Sequence, residues 1–148
     1  MKKCVVLGSF RRYYRDIAAI VDLFQKAGLE VLSPVASTVI NPGAEFVLLQ
    51  SDLDRWSDID FKCIEDRVLQ MIPQSDFVYV CDPEGYIGLT TSFEIGYARA
   101  KGIPVFSMCL VSDQTIRQYV DQVLSVQELI DYVLSKNHET RSEGGRQC

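Results

Sequence analysis

FVYVCDPEGYIGLTTSFEIGYARAKGIPVF, running from Phe77 to Phe106, decides the fold. Phe77 to Cys81 is an apolar, strand-like run. A polar loop with glycines follows, and Ser92 to Lys101 then has helical spacing, closed by Gly102. Ile103 to Phe106 is the next apolar run. Strands apolar enough to be buried on both faces, alternating with helices, imply a parallel sheet covered by helices.

The same alternation extends outward. Cys4 to Leu7 reads as a first strand, and Arg11 to Lys26 as a helix with Ile17, Ile20, Val21 and Phe24 on one face, stopped by Gly28. Glu30 to Leu32 is a short second strand. Asp58 to Ile72 is a helix with Phe61, Ile64, Val68, Leu69 and Ile72 on its apolar side. A short fifth strand is expected near Val120 to Leu124. Ser125-Val126-Gln127-Glu128 is a capping box that opens a last helix through about Leu134. Ala36 to Ser51 is ambiguous, and Ile40 to Trp56 has no assigned role. Right-handed crossovers turn this order into a single α/β domain, a three-layer flavodoxin-like or Rossmann-like sandwich around a parallel sheet of about five strands. The domain spans residues 1–135, and residues 136–148 form a polar tail expected to be disordered.

Composition narrows the function. The 148 residues are 47% hydrophobic and 24% charged, as in an ordinary one-domain globular protein. A formal net charge of −5 argues against a nucleic-acid polymer as partner but not against a small anion. No apolar run is long enough to span a bilayer, and the one after Met1-Lys2-Lys3 is too short for a signal peptide. The five cysteines, Cys4, Cys63, Cys81, Cys109 and Cys148, are widely spaced with no CxxC pair. Reduced, mostly buried thiols in a cytoplasmic protein are the expectation. A single histidine, His138, leaves little material for zinc or for Ser–His or Cys–His catalysis, so no metal or organic cofactor is expected.

In open α/β folds ligands bind beyond the carboxyl ends of the strands, so the loops there carry the candidates. The first is Gly8-Ser9-Phe10-Arg11-Arg12. A glycine, a hydroxyl and a helix N-terminus make a plausible phosphate cradle, to which Arg11 or Arg12 adds a bidentate contact. The same residues also read as a tight turn with two solvated arginines. The second is Glu94. Thr91-Ser92-Phe93-Glu94 fits a T-x-x-E capping box, with Glu94 bonded to the Thr91 amide. The functional reading uses the same geometry: helix donors and dipole keep a first-turn carboxylate ionised, ready to attack an anomeric carbon. Asp82 and Tyr86, on the loop after the third strand, are candidates to protonate a leaving base or bind ribose. Glu84 reads as turn chemistry. Asp58, Asp60, Glu65 and Asp66 belong mostly to the solvated face of the second helix. Phe93 and Tyr97 form a core-like helix face, while Tyr13-Tyr14 has no clear role.

On these residues the chain resembles a known family. GLTTSFEIGYA, Gly88 to Ala98, is similar to the signature around the catalytic glutamate of nucleoside 2-deoxyribosyltransferases. LGSFR, Leu7 to Arg11, resembles the N-terminal loop of the branch that cleaves deoxynucleoside 5′-monophosphates. The resemblance covers roughly Lys3 to Ser107. It implies Glu94 as the nucleophile that forms a glycosyl-enzyme intermediate, with Asp82 and Tyr86 as further catalytic candidates. Gly8, Ser9, Phe10 and Arg11, with Gly88, Thr91 and Ser92, would bind substrate. It also implies a homodimer or larger homo-oligomer. Two positions depart from the pattern. Where the family often has an aspartate or serine, six residues before the glutamate, this chain has Gly88. Where it tends to have an acid on the preceding helix, this chain has Val68 by sequence count. A looser G-x-T-x-x-E likeness to phosphoribohydrolases of the lysine-decarboxylase-like family points to the same chemistry.

The expected function is therefore hydrolysis or base exchange at the N-glycosidic bond of a nucleoside or nucleoside 5′-monophosphate. The alternative is a nucleotide-binding or sensing module that keeps the pocket without turnover, supported by Gly88 and Val68. A receiver domain would need an acidic pair after the first strand, where Gly8-Ser9 stands. FMN binding has only the fold in its favour.

Overall fold

The computed structural model describes residues 1–35, 49–50 and 60–143, with side chains described through Lys136. Most of Ile40 to Trp56, together with Asp58 and Cys148, lies outside the described residues. The strands are β1 (Lys3–Gly8), β2 (Glu30–Ser33), β3 (Phe77–Cys81), β4 (Val105–Ser107) and β5 (Gln122–Val123). Among the described residues the α-helices are α1 (Phe10–Lys26), α2 (Phe61–Met71), α3 (Leu89–Ala100), α4 (Gln114–Arg117) and α5 (Val126–Glu143). The five strands form one sheet in the order β2-β1-β3-β4-β5, and all four pairings are parallel.

Side-chain alternation along the central strands builds two cores. Cys4 and Val6 of β1 and Phe77, Tyr79 and Cys81 of β3 face α1 and α5, where Ile17, Phe24 and Leu129 meet them. Val5, Leu7, Val78 and Val80 face the opposite layer, where Ile72, Ile95 and Ala98 cover them. A strand with period-two alternation that is buried on both faces reads as continuously apolar, which is why FVYVC carries no polar residue. Tyr79 satisfies its hydroxyl by donating to the Leu124 carbonyl at 2.8 Å.

Helix boundaries moved. α3 begins at Leu89 rather than Ser92. α5 runs to Glu143, past the expected end near Leu134, so residues 136–143 are helical in backbone rather than a disordered tail. Its start is as read: the Ser125 hydroxyl accepts from the Glu128 amide at 3.2 Å. The short α4 was not expected from the sequence. It is set by Asp113, whose carboxylate accepts from the Thr115 and Ile116 amides, both at 2.9 Å. Phe93 is also not core; it is 57% exposed. Among the cysteines, Cys4 and Cys81 are buried, Cys109 is partly so and Cys63 is exposed.

The strand order reverses direction between β1 and β3, since the chain goes from β1 outward to β2 and then returns to the other side of β1. The loops leaving β1 and β3 therefore diverge at their carboxyl ends and open a crevice there.

Candidate active site

β1 ends at Gly8, in register with Cys81 at the end of β3. A Cβ on Gly8 would stand 2.9 Å from the Cys81 carbonyl oxygen and 3.1 Å from Ile17 Cδ1. Glycine thus lets the chain leave the sheet without prising β1 from β3. Ser9 then caps α1 with its carbonyl, which accepts from the Arg12 and Tyr13 amides at 3.1 and 2.8 Å. Its hydroxyl makes no capping bond. Ser9, Phe10 and Arg11 line a cleft of about 390 Å³, within the range of small-molecule sites. Part of the wall is apolar, from Leu32 of β2, Pro34 and Val35 after it, and Ile64, Val68 and Met71 of α2. Its polar part includes Ser9, Arg11, Glu65, Arg67, Thr91 and Glu94.

Glu94 lies on this wall and is 7% exposed. Gly88 is the N-cap of α3, in extended backbone and without a side-chain cap, so Thr91 is already inside the helix and Glu94 is in its second turn. The capping-box reading therefore fails. Ser92 is not on the cleft wall, because its hydroxyl is turned back to the Gly88 carbonyl at 2.8 Å. Thr91 is buried and does face the cleft, and Gly88 lines it.

Glu94 also departs from the expected charge state. Burial, then the charge of Glu65, then a hydrogen bond with Glu65 push its carboxyl well above the usual range. Burial raises Glu65 as well, partly offset by the bond from Glu94, with Asp66 raising it further. One Glu65 oxygen, Oε1, is buried without a partner. Like charges in a desolvated site cannot both ionise cheaply, so ionisation of one carboxyl opposes that of the other. A first-turn carboxylate kept ionised by the helix dipole was the expectation. Burial and the neighbouring Glu65 instead favour the neutral form of Glu94.

Glu65 is the site residue that the sequence reading placed on the solvated face. It stands one helical turn before Val68 and next to Ile64, both cleft residues. Glu65 shares the face of Val68, where an acid was sought, but α2 carries as many bases (Lys62, Arg67) as acids, and its sequence alone does not mark which turn reaches the cleft. Asp66, by contrast, forms the exposed pair with Lys62 at 2.7 Å.

Asp82 is off the cleft wall. It is wholly buried, and one carboxylate oxygen accepts from the Cys109 amide at 2.9 Å while Oδ2 has no partner. Burial pushes its carboxyl up to about 6 against the backbone bonds that lower it. Its position ties the loop after β3 to the loop after β4. The Ser112 amide adds a second tie, donating to the Gly85 carbonyl at 2.9 Å. Gly85 has a φ of +79°, and a Cβ there would run into the Leu110 carbonyl. Glu84 is confined to this turn, as expected.

The turn delivers Tyr86 to the cleft rim, 39% exposed. The Arg12 guanidinium carbon lies 3.9 Å from its ring centroid. Tyr13 meets the same ring edge-on at 6.1 Å and donates its hydroxyl to the Pro83 carbonyl at 3.1 Å. Tyr13 itself breaks the regular helix geometry of α1. Among the described residues, no group of three His, Cys, Asp or Glu side chains is placed to hold a metal ion. No described helix is long and apolar enough to cross a membrane.

No family model matches the chain, and no curated protein matches it in sequence. Solved structures do. A conserved protein from Enterococcus faecalis V583 is 18% identical, covers 92% of this chain and 99% of its own, and superposes with a TM-score of 0.62. A 2-deoxyribosyltransferase from Bacillus psychrosaccharolyticus is 15% identical over 88% of this chain and 91% of its own, with a TM-score of 0.63. The CMP N-glycosidase of Clostridium botulinum is 13% identical over 89% and 97%, with a TM-score of 0.57. At these identities the likeness establishes the fold, and it spans nearly the full length of each protein.

Proposed function

We propose that this chain belongs with the nucleoside 2-deoxyribosyltransferase-like enzymes and cleaves or exchanges the N-glycosidic bond of a nucleoside or nucleoside 5′-monophosphate. The observation that carries the reading is buried Glu94 paired with half-buried Glu65 in a cleft at the switch point of the sheet. Two proteins of the same fold are a deoxyribosyltransferase and a CMP N-glycosidase, which supports it. The sensing alternative drew half its support from Val68, and Glu65 removes that half.

The chemistry follows from the shared proton. Glu94 passes it to Glu65 along their hydrogen bond and attacks C1′ as a carboxylate while the bond to the base breaks. The base leaves with that electron pair and takes the proton from Glu65. Water or an acceptor base then attacks C1′, Glu94 departs as carboxylate, and the proton lost by the attacker returns to the pair. Ser9, the first-turn amides of α1 and Arg11 hold a 5′-phosphate.

The test is chromatographic release of free base from a panel of nucleosides and 5′-monophosphates, with and without an acceptor base. Glu94→Gln should lower release by at least about a thousandfold while ligand binding persists. Release from no substrate, or release that survives Glu94→Gln, sinks the proposal. Binding without any turnover would instead establish the sensing module.

Assembly as a homo-oligomer belongs to the same proposal. Leu89 is 91% exposed and Phe93, one turn on, is 57% exposed, an apolar stripe beside the cleft on α3. Leu89→Asp should reduce the mass measured by light scattering; a wild-type monomer refutes it. The free Cys4, Cys63, Cys81 and Cys109 fit a reducing, cytoplasmic setting.

A further inference from the structure

The N-terminus of α3 opens on the cleft with a glycine cap and no side chain to satisfy its first amides. One polar side chain is brought over it from elsewhere. A Cβ built on Gly88 would have the Tyr86 hydroxyl as its neighbour, at 4.0 Å. That phenol is not free to wander. Its ring has the Arg12 guanidinium on one side at 3.9 Å and the edge of Tyr13 at 6.1 Å. Tyr13 is anchored to Pro83, and the residue before Tyr86, Gly85, is clamped to Ser112. Arg12 is exposed, is absent from the cleft wall and forms none of the described salt bridges. A solvated arginine would not need to sit against a ring. A stacked guanidinium stiffens the aromatic side chain beneath it.

We infer that Tyr86 is a specificity-determining contact for the sugar–phosphate end of the ligand, and that Arg12 is a positioning residue acting through it. Tyr86 supplies, from the preceding loop, the hydroxyl that Gly88 lacks at the start of α3. Arg12 and Tyr13 fix the direction in which that hydroxyl points. The assignment rests on the nucleotide reading of the cleft, but it concerns binding and not bond cleavage.

The experiment therefore uses a ligand with no base to lose. Binding of 2-deoxyribose 5-phosphate and of ribose 5-phosphate is measured by calorimetry on the full chain, for wild type and variants. Tyr86→Phe keeps the ring and removes the hydroxyl; it should raise Kd about tenfold, the value of one hydrogen bond. Arg12→Gln should raise Kd about fivefold, and in the Tyr86→Phe background it should add less than about twofold. Gly88→Ser, whose backbone conformation any residue adopts, should recover most of the loss in Tyr86→Phe. That recovery is a readout a merely structural role would not give. Additive losses, an Arg12→Gln effect that exceeds Tyr86→Phe, or no rescue by Gly88→Ser overturn the assignment; the second result would make Arg12 itself the anion ligand. A wild-type protein that binds neither sugar phosphate overturns it too. Base release by the same protein then decides separately whether the glycosidic reading stands.

Discussion

Asp82 offers a prediction whose size follows from its surroundings. Its carboxyl is wholly buried, has one unpartnered oxygen, and is raised from 3.8 to about 6. The folded protein thus binds a proton at this site more tightly than the unfolded chain does. Below the unfolded value both states are protonated and the site is neutral in its effect. As pH rises through the window from 3.8 to about 6, the unfolded chain ionises first, and stability falls. Taken in full, the rise from 3.8 to about 6 is worth about 3 kcal/mol. Between about pH 4 and about pH 7 roughly 2 kcal/mol of it is realised. Asp82→Asn removes the titration and keeps an acceptor for the Cys109 amide. Its cost at any one pH includes a buried amide group without a partner, about 1–3 kcal/mol. That cost is independent of pH, so the difference between variant and wild type isolates the carboxyl. Urea unfolding at several pH values should show the variant gaining roughly 2 kcal/mol on wild type across that range. A difference flat to within about 0.5 kcal/mol would refute the burial argument. Because Asp82 is off the cleft, the folded variant should retain base release within a few-fold, and a loss of orders of magnitude would return it to the chemistry.

Glu65→Gln leaves a donor beside Glu94 but removes the second negative charge. Glu94 should then ionise at lower pH, and the proton for the departing base should be gone. The rate should fall by about a hundredfold or more, and the alkaline limb of the pH–rate profile, set by loss of that proton, should disappear; an unchanged profile would mean that the two carboxyls do not share a proton. Gly85→Ala places a Cβ against the Leu110 carbonyl at a φ of +79°. It should lower stability by about 2–4 kcal/mol, read as a fall in Tm, and loosen Tyr86 on the rim. A Tm within a degree of wild type would show that the loop relaxes freely.

The fold was legible because its signal is local. FVYVC and the helix after it carry their burial pattern in consecutive residues, and the parallel sheet follows from strand–helix alternation. That Gly8, Ser9 and Arg11 line the cleft was legible for the same reason, since a strand, a glycine and a helix start are neighbours in the chain. Ser92 was misplaced because the helix starts three residues earlier than its polar sequence suggests. Gly88 takes the cap in extended backbone, and Ser92 then falls on the first turn's interior side, bonded to the Gly88 carbonyl. Asp82 misled because a loop acid after a strand reads as exposed, whereas the chain after β4 folds over it.

Glu65 was not legible for a deeper reason. Counting along a helix gives a face, but which position of that face reaches the cleft depends on how α2 docks on the sheet. A shift of one turn separates Val68 from Glu65, and no local signal sets it. The charge of Glu94 is likewise a tertiary property. Its position on α3 suggests help from backbone donors, but burial and the facing Glu65 reverse the sign. Such a pair is costly to keep. Apolar side chains of similar volume would cover the sheet better, and a buried and a half-buried carboxyl with an orphaned oxygen work against folding. A site that opposes stability while sitting where the strand order reverses is best explained by what it binds. This is why the acid pair, rather than any single motif, is the part of the chain on which the functional reading turns.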